Sequence, residues 1–202
     1  MSNPGAIRIV LASRNSGKLV ELRRILGADF ELVPLPEDAP DVAETGSTFE
    51  ENALLKATSA ALATGLPAVA DDSGLAVDAL NGMPGVLSAR WSGRHGDDAA
   101  NTALLLGQLA DVPDERRGAA FVCAAAIVTP DGAERVLERS WRGQVVREGR
   151  GSNGFGYDPV FLPDGLEHTA AELTAAQKDA RSHRGQAFAA LVPLIGELLG
   201  RS

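Results

Sequence analysis

"I-R-I-V-L-A-S-R-N-S-G-K-L-V-E-L-R-R-I-L", residues 7 to 26, decides the fold class. Ile7–Ala12 is a near-continuous apolar run, as expected of a strand covered on both faces. From Gly17 the apolar residues Leu19, Leu22, Ile25 and Leu26 recur at helical spacing, so Gly17–Leu26 reads as a helix. Phe30–Leu35 is a second short strand. Strand, turn, helix and strand predict a parallel α/β unit.

The pattern continues along the chain. Thr48 and Glu51 form a capping-box pair that opens an Ala-rich helix running to about Ala63 and stopping at Gly65-Leu66-Pro67. Ala68–Ala70 reads as a short strand ending on Asp71-Asp72-Ser73-Gly74. Asn81–Gly96 reads as loop and Asp98–Leu109 as helix. Phe121–Val128, the turn Pro130-Asp131-Gly132 and Arg135–Val146 predict an antiparallel hairpin. A Gly-rich loop, "G-S-N-G-F-G-Y-D-P" (151–159), leads into Val160–Leu162. Thr174, with Gln177 as capping partner, opens a short helix, and a last helix covers about Gly185–Leu199 with Pro193 expected to kink it. No repeat or linker interrupts residues 1–202, which read as a single domain. The expected architecture is a mixed β-sheet with helices on both faces, the hairpin region forming a second lobe.

Composition narrows the partners. A net charge of −8 opposes nucleic-acid binding, which needs a basic face. The one cysteine, Cys123, leaves no disulfide framework and points to a reducing cytoplasm. No apolar run approaches the roughly 20 residues that span a bilayer, and no signal peptide is visible. Among 19 basic side chains only three are lysines, Lys18, Lys56 and Lys178, which marks them as places where an ammonium suits and a guanidinium does not.

"S-R-N-S-G-K" (13–18) looks like half of a phosphate-binding P-loop, but Ala12 replaces its first Gly and Leu19 its final Ser or Thr. It still offers backbone amides at a helix N-terminus, hydroxyl and amide donors on Ser13 and Asn15, and the charge of Lys18. Lys56 projects close to the Phe49–Ala53–Ala57–Ala60 face of its helix, with Asn52 one turn earlier, so it either snorkels outward or meets anions. Asp71 and Asp72 point to opposite sides of an extended chain and divide two tasks: one binds metal or activates water, the other ties down the loop. Glu51 is assigned to capping. Phe155 and Tyr157 carry two of nine aromatic rings, either to stack on a base or to fill a core. His183 and Arg184, just ahead of the last helix, are donors suited to a carbonyl oxygen. Three scattered histidines and one cysteine make zinc improbable; plentiful carboxylates suit Mg²⁺.

In order, "S-R-N-S-G-K" (13–18), "F-E-E-N-A-L-L-K-A" (49–57), "A-D-D-S-G-L" (70–75), "G-F-G-Y-D-P-V-F" (154–161) and "S-H-R-G-Q-A" (182–187) resemble the Ham1/RdgB family of inosine/xanthosine triphosphate pyrophosphatases. Ser13 stands where many members have Thr, which keeps the hydroxyl. The resemblance implies an elongated α/β fold with two lobes around a central cleft, a homodimer, and Mg²⁺-dependent cleavage of aberrant purine nucleoside triphosphates (ITP, dITP, XTP, dXTP) to monophosphate and pyrophosphate. It assigns Ser13, Arg14, Asn15, Ser16, Gly17, Lys18 and Lys56 to the triphosphate. Glu44, in "A-E-T-G", and Asp72 would bind metal, with Asp72 also the general base. Ser73 would contact substrate; Phe155, Gly156, Tyr157, Asp158, Lys178, His183 and Arg184 would hold base and sugar, the last two near the purine 6-oxygen. Donors there suit hypoxanthine and xanthine and leave the adenine amino group facing donors. The "S-H-R-G" and "G-F-G-Y-D-P" motifs favour this family over the related Maf-like nucleotide pyrophosphatases, and a regulatory nucleotide-binding module would not demand the acids.

Overall fold

The computed structural model describes residues 7–26 and 30–200, the Ser16 side chain excepted. Among these residues six strands, β1 (Arg8–Leu11), β2 (Glu31–Pro34), β3 (Ala68–Val77), β4 (Gly118–Val128), β5 (Glu134–Val145) and β6 (Phe161–Pro163), hydrogen-bond in the order β2-β1-β3-β4-β5-β6, and the chain divides into two compact units. Among the described residues no helix is long and apolar enough to cross a membrane.

The first unit takes the residues up to Asp72, Cys123–Arg139 and those from Arg184 on. β1 (Arg8–Leu11) pairs in parallel with β2 (Glu31–Pro34), Arg8 opposite Glu31, and with the start of β3 (Ala68–Val77), Val10 opposite Ala68. The crossover between β1 and β2 is α1 (Ser16–Leu26). This is the parallel unit expected from the opening stretch. Leu22 and Leu26 of α1 are buried with Ile9, Leu11, Val69 and Ile127, and with Phe188, Leu191 and Ile195 of α5 (His183–Leu198). α2 (Phe49–Thr64) begins where the Thr48 hydroxyl accepts the Glu51 amide and ends at Gly65, whose φ of 66° suits glycine. The Glu51 carboxylate accepts from the amide and hydroxyl of Ser47, so its role is to cap the turn. Phe49, Ala53, Ala57 and Ala60 form the buried face read from the sequence.

The second unit takes Ser73–Val122 and Ser140–His183. It contains α3 (Asp98–Gln108), α4 (Ala175–Asp179) and β6 (Phe161–Pro163), with β6 antiparallel to β5 (Glu134–Val145). Phe161 meets Phe121 and Trp141 edge-on, with ring centroids 4.6 and 5.5 Å apart, in a core completed by Leu75, Leu105 and Tyr157. Arg117 is buried, and its guanidinium donates to the carbonyls of Leu109, Val145 and Val146. Thr174 and Gln177 form the capping box that opens α4.

Three boundaries differ from expectation. β3 does not stop at Ala70 but runs through Asp71 and Asp72 to Val77, because cations neutralise both carboxylates inside the sheet. β4 begins at Gly118. His183 and Arg184 are the first residues of α5 instead of a lead-in, and Pro193 lies within it.

Leu191 is fully buried in the first core. Leu191→Ala is expected to cost about 2–5 kcal/mol, read as a lower urea midpoint with an unchanged slope.

Candidate active site

The first unit gathers three acids and two lysines on α1, α2, β3 and the loop before α2. Lys56, near the middle of α2, sits between two carboxylates, with Nζ 2.9 Å from Glu44 Oε1 and 2.8 Å from Asp72 Oδ1. Of the two courses open to it in the sequence, it takes the anionic one. Asn52, one turn earlier and fully buried, donates to the other oxygen of Asp72 at 3.3 Å. Burial pushes the Asp72 carboxyl above its usual range, against the pull of Lys56 and Lys18. Burial draws the Lys56 ammonium down, but Asp72, Asp71 and Glu44 outweigh it and leave it above the usual lysine value.

Asp71 faces a different set of partners, as alternation along a strand requires. Its Oδ2 lies 3.0 Å from Lys18 Nζ and 3.2 Å from Arg184 Nε, and Arg184 Nη1 in turn meets Glu21. Burial alone would raise the Asp71 carboxyl; Lys18, Arg184 and Lys56 together reverse that and hold it well below the ordinary range. Burial likewise opposes the charge on Arg184, and Asp71 and Glu21 more than restore it. Cys123 lies 4.0 Å from the same Asp71 oxygen, and burial with that negative neighbour pushes its thiol far up, away from reactivity.

Residues 13–18 form the turn into α1. The Ser13 hydroxyl accepts from the Asn15 amide, and the Asn15 side chain accepts from the Lys18 amide at 3.1 Å, so Asn15 caps the helix. Gly17 lies in its first turn. The Ser16 side chain, assigned to phosphate by the resemblance, lies outside the described residues. Arg14 is turned to the Pro-rich loop, donating to Ala39 O at 2.6 Å and pairing with Asp41 at 3.0 Å.

The second unit builds another cluster on the Gly-rich loop. Asp158, buried, accepts from the Phe155 amide at 2.9 Å and from Lys178 Nζ at 2.6 Å. That ammonium also stands 5.0 Å from the Phe155 ring centroid, a cation–π contact. The Gly156 amide donates to Asp98 at the start of α3. Gly154 has a φ of 76°, and a Cβ there would overlap the Asp158 carboxylate, so the turn needs glycine. Tyr157 fills the core and donates its hydroxyl to Ser88 O, the core role of the two open to it. Burial, and then the charge of Asp98, raise its phenol above the usual value. His183 stacks on Phe121 at 4.8 Å. Ser73 is half-buried on β3.

The predicted residues thus fall into two clusters: Lys18, Glu44, Lys56, Asp72 and Arg184 in the first unit, and Phe155, Gly156, Asp158, Lys178 and His183 in the second. Sequence reasoning left the task of Asp71 open and passed over Glu21, Asn52 as a partner of Asp72, and Asp98. Glu21 had one signal, its place three residues after Lys18 on the same helix.

Among the described residues no group of three or more His, Cys, Asp or Glu side chains gathers as metal ligands. Glu44 and Asp72 already share one cation, the Lys56 ammonium. Two hard oxygen donors are the usual protein share for Mg²⁺, which takes its remaining ligands from phosphate and water. The donor set therefore fits that ion.

Fold and clusters define an α/β protein with a lysine–carboxylate centre beside the N-terminal turn of a helix. The Ham1 family model matches residues 9–194. A dITP/XTP pyrophosphatase from Frankia alni is 65% identical over 201 residues, covering 96% of this chain and 99% of its own. Two solved structures are also similar. The nucleoside-triphosphatase / dITP/XTP pyrophosphatase from Mycobacterium abscessus has 64% identity and a TM-score of 0.76 over 93% of this chain and all of that one. A HAM1 protein from Coxiella burnetii has 45% identity and a TM-score of 0.86 over 95% and 99% of the two chains. The chain belongs to the Ham1 family.

Because the folded-state pKa of Asp71 lies below the usual 3.8, its stabilisation is fully present above that value and is lost progressively as pH falls from there through the lowered folded-state value. Asp71→Asn is expected to lose about 3–5 kcal/mol at pH 7, since Lys18 and Arg184 stay buried with less opposing charge. Urea unfolding at pH 7 and at about pH 3 should show a smaller pH-dependent loss in the variant than in the wild type.

Proposed function

We propose that this chain is a Mg²⁺-dependent pyrophosphatase for aberrant purine nucleoside triphosphates, of the dITP and XTP type, yielding monophosphate and pyrophosphate. The observation that carries the reading is the bracketing of Lys56 by Glu44 and Asp72, which puts cation-binding oxygens, a buried carboxylate base and an ammonium in one place. Its relatives' names supply the substrate class.

The first unit acts on the phosphates. The 13–18 turn meets anionic oxygens at the start of α1, where the helix field favours them. Lys18 and Lys56 add positive charge, which the polyphosphate needs as its anhydride breaks. Glu44 and Asp72 would hold Mg²⁺, which when bound neutralises phosphate oxygens. Asp72 takes the proton of the water that adds across the α–β anhydride, and the pyrophosphate leaves with the bridging oxygen. A carboxyl raised by burial is a better base than an ordinary one.

The second unit recognises the base. Phe155 offers a ring face now covered by Lys178, and Asp158 holds both the loop and that lysine. His183 is a donor for the purine 6-oxygen. Arg184 has the same assignment by resemblance, and its pairing with Asp71 and Glu21 fixes its orientation. The chain is further proposed to act as a cytoplasmic homodimer, in line with the single buried cysteine and the family resemblance.

Incubation with Mg²⁺ and dITP, XTP, GTP or ATP should release pyrophosphate and monophosphate, fastest with dITP or XTP. Orthophosphate with diphosphate as products would overturn the reading. Asp72→Asn should lower kcat at least about a thousandfold with the fold retained by circular dichroism. Wild-type turnover in that variant would remove Asp72 from the mechanism.

A further inference from the structure

Asn52 is fully buried, yet neither the metal nor the substrate assignments use it. Its carboxamide is engaged at both ends within the first unit. Oδ1 accepts the Gly46 amide at 2.8 Å, and Nδ2 donates to Asp72 Oδ2 at 3.3 Å. Only one orientation serves both contacts, because an amide N–H must meet the oxygen and a carboxylate must meet the NH₂. Burying this amide is unfavourable unless both ends are satisfied. A Cβ on Gly46 would lie 2.7 Å from that Oδ1, so glycine is what lets the loop come close enough.

Two consequences meet at one side chain. Asn52 and Lys56 stand one turn apart on α2, and between them they hold both oxygens of Asp72: Nδ2 on Oδ2, Nζ on Oδ1. Two donors from one rigid helix fix the plane of the carboxylate, where a single donor would leave it to rotate. At the other end the Gly46 contact fastens the loop that carries Glu44, two residues earlier.

We infer that Asn52 is a positioning residue for the reaction, setting the Asp72 carboxylate and the Glu44 loop in register with each other. The inference rests on the assignment of Asp72 and Glu44 proposed above. Asn52→Ala removes both contacts. Asn52→Asp keeps an acceptor for Gly46 but loses the donor to Asp72 and adds a like charge.

The test combines dITP kinetics with amide exchange on the metal-free protein. Asn52→Ala is expected to lower kcat by about tenfold to a hundredfold, as a misplaced catalytic group does, while KM stays within about threefold of wild type. Exchange should quicken at Gly46 and its neighbours and not across β1 and α1. Asn52→Asp should lose kcat as severely while Gly46 remains protected. A kcat for Asn52→Ala within about threefold of wild type overturns the inference. So does exchange that rises throughout the first unit in step with a lower melting temperature, since Asn52 would then serve the fold alone. Asp72→Asn, run beside them, separates the two proposals: an active Asp72→Asn removes the catalytic reading itself, whereas an inactive one beside an active Asn52→Ala removes only the role of Asn52.

Discussion

The first unit depends on a carboxylate in the middle of a strand. Asp71 sits in β3 with its side chain out of contact with water, a position that would be prohibitive for an isolated charge. Lys18 from α1 and Arg184 from the start of α5 make it tolerable, and Glu21 offsets the second positive charge on Arg184's other side. α1 and α5, distant in sequence, are thereby both bound to one residue of β3. Because the arrangement is buried, removing any one member strands the others, and such a network confers definite geometry more surely than it confers stability. The turn 13–18 inherits that geometry through Lys18. Lys18, held by Asp71, stands in the first turn of α1.

Much of this was legible in the sequence. Apolar spacing in residues 7–35 was enough for the parallel unit, and the helical wheel of α2 placed Lys56 beside its buried face. The acids of β3 were harder. A strand pattern looks for apolar residues, so periodicity ends β3 at Ala70 and takes "D-D-S-G" as its terminus. What keeps the strand going is charge compensation by residues 53 and 113 positions away from Asp71, which local periodicity does not register. Arg14, which the motif assigns to phosphate, also braces the Ala39–Asp41 loop, a contact that no motif carries.

Asn52 and Asp98 were hidden for another reason. Each acts by holding backbone amides, at Gly46 and Gly156, and backbone partners have no sequence identity to match. Tyr157 is a related case, because its motif suggests stacking while its hydroxyl and burial make it a post of the second core. Side chains that touch substrate and side chains that hold the touching ones draw on the same residue types. Only burial and partner tell them apart.

The scarcity of lysine takes on a further meaning once all three are located. Their side chains are 14%, 15% and 7% exposed for Lys18, Lys56 and Lys178, and each is paired with an aspartate. Arginine supplies the remaining basic groups. The outer surface is therefore almost bare of ε-amines. Acylating or cross-linking reagents aimed at lysine will find little to modify on the native molecule, and any lysine they do reach lies within one of the two clusters. For this protein, lysine labelling is less a surface reaction than a report on its working parts.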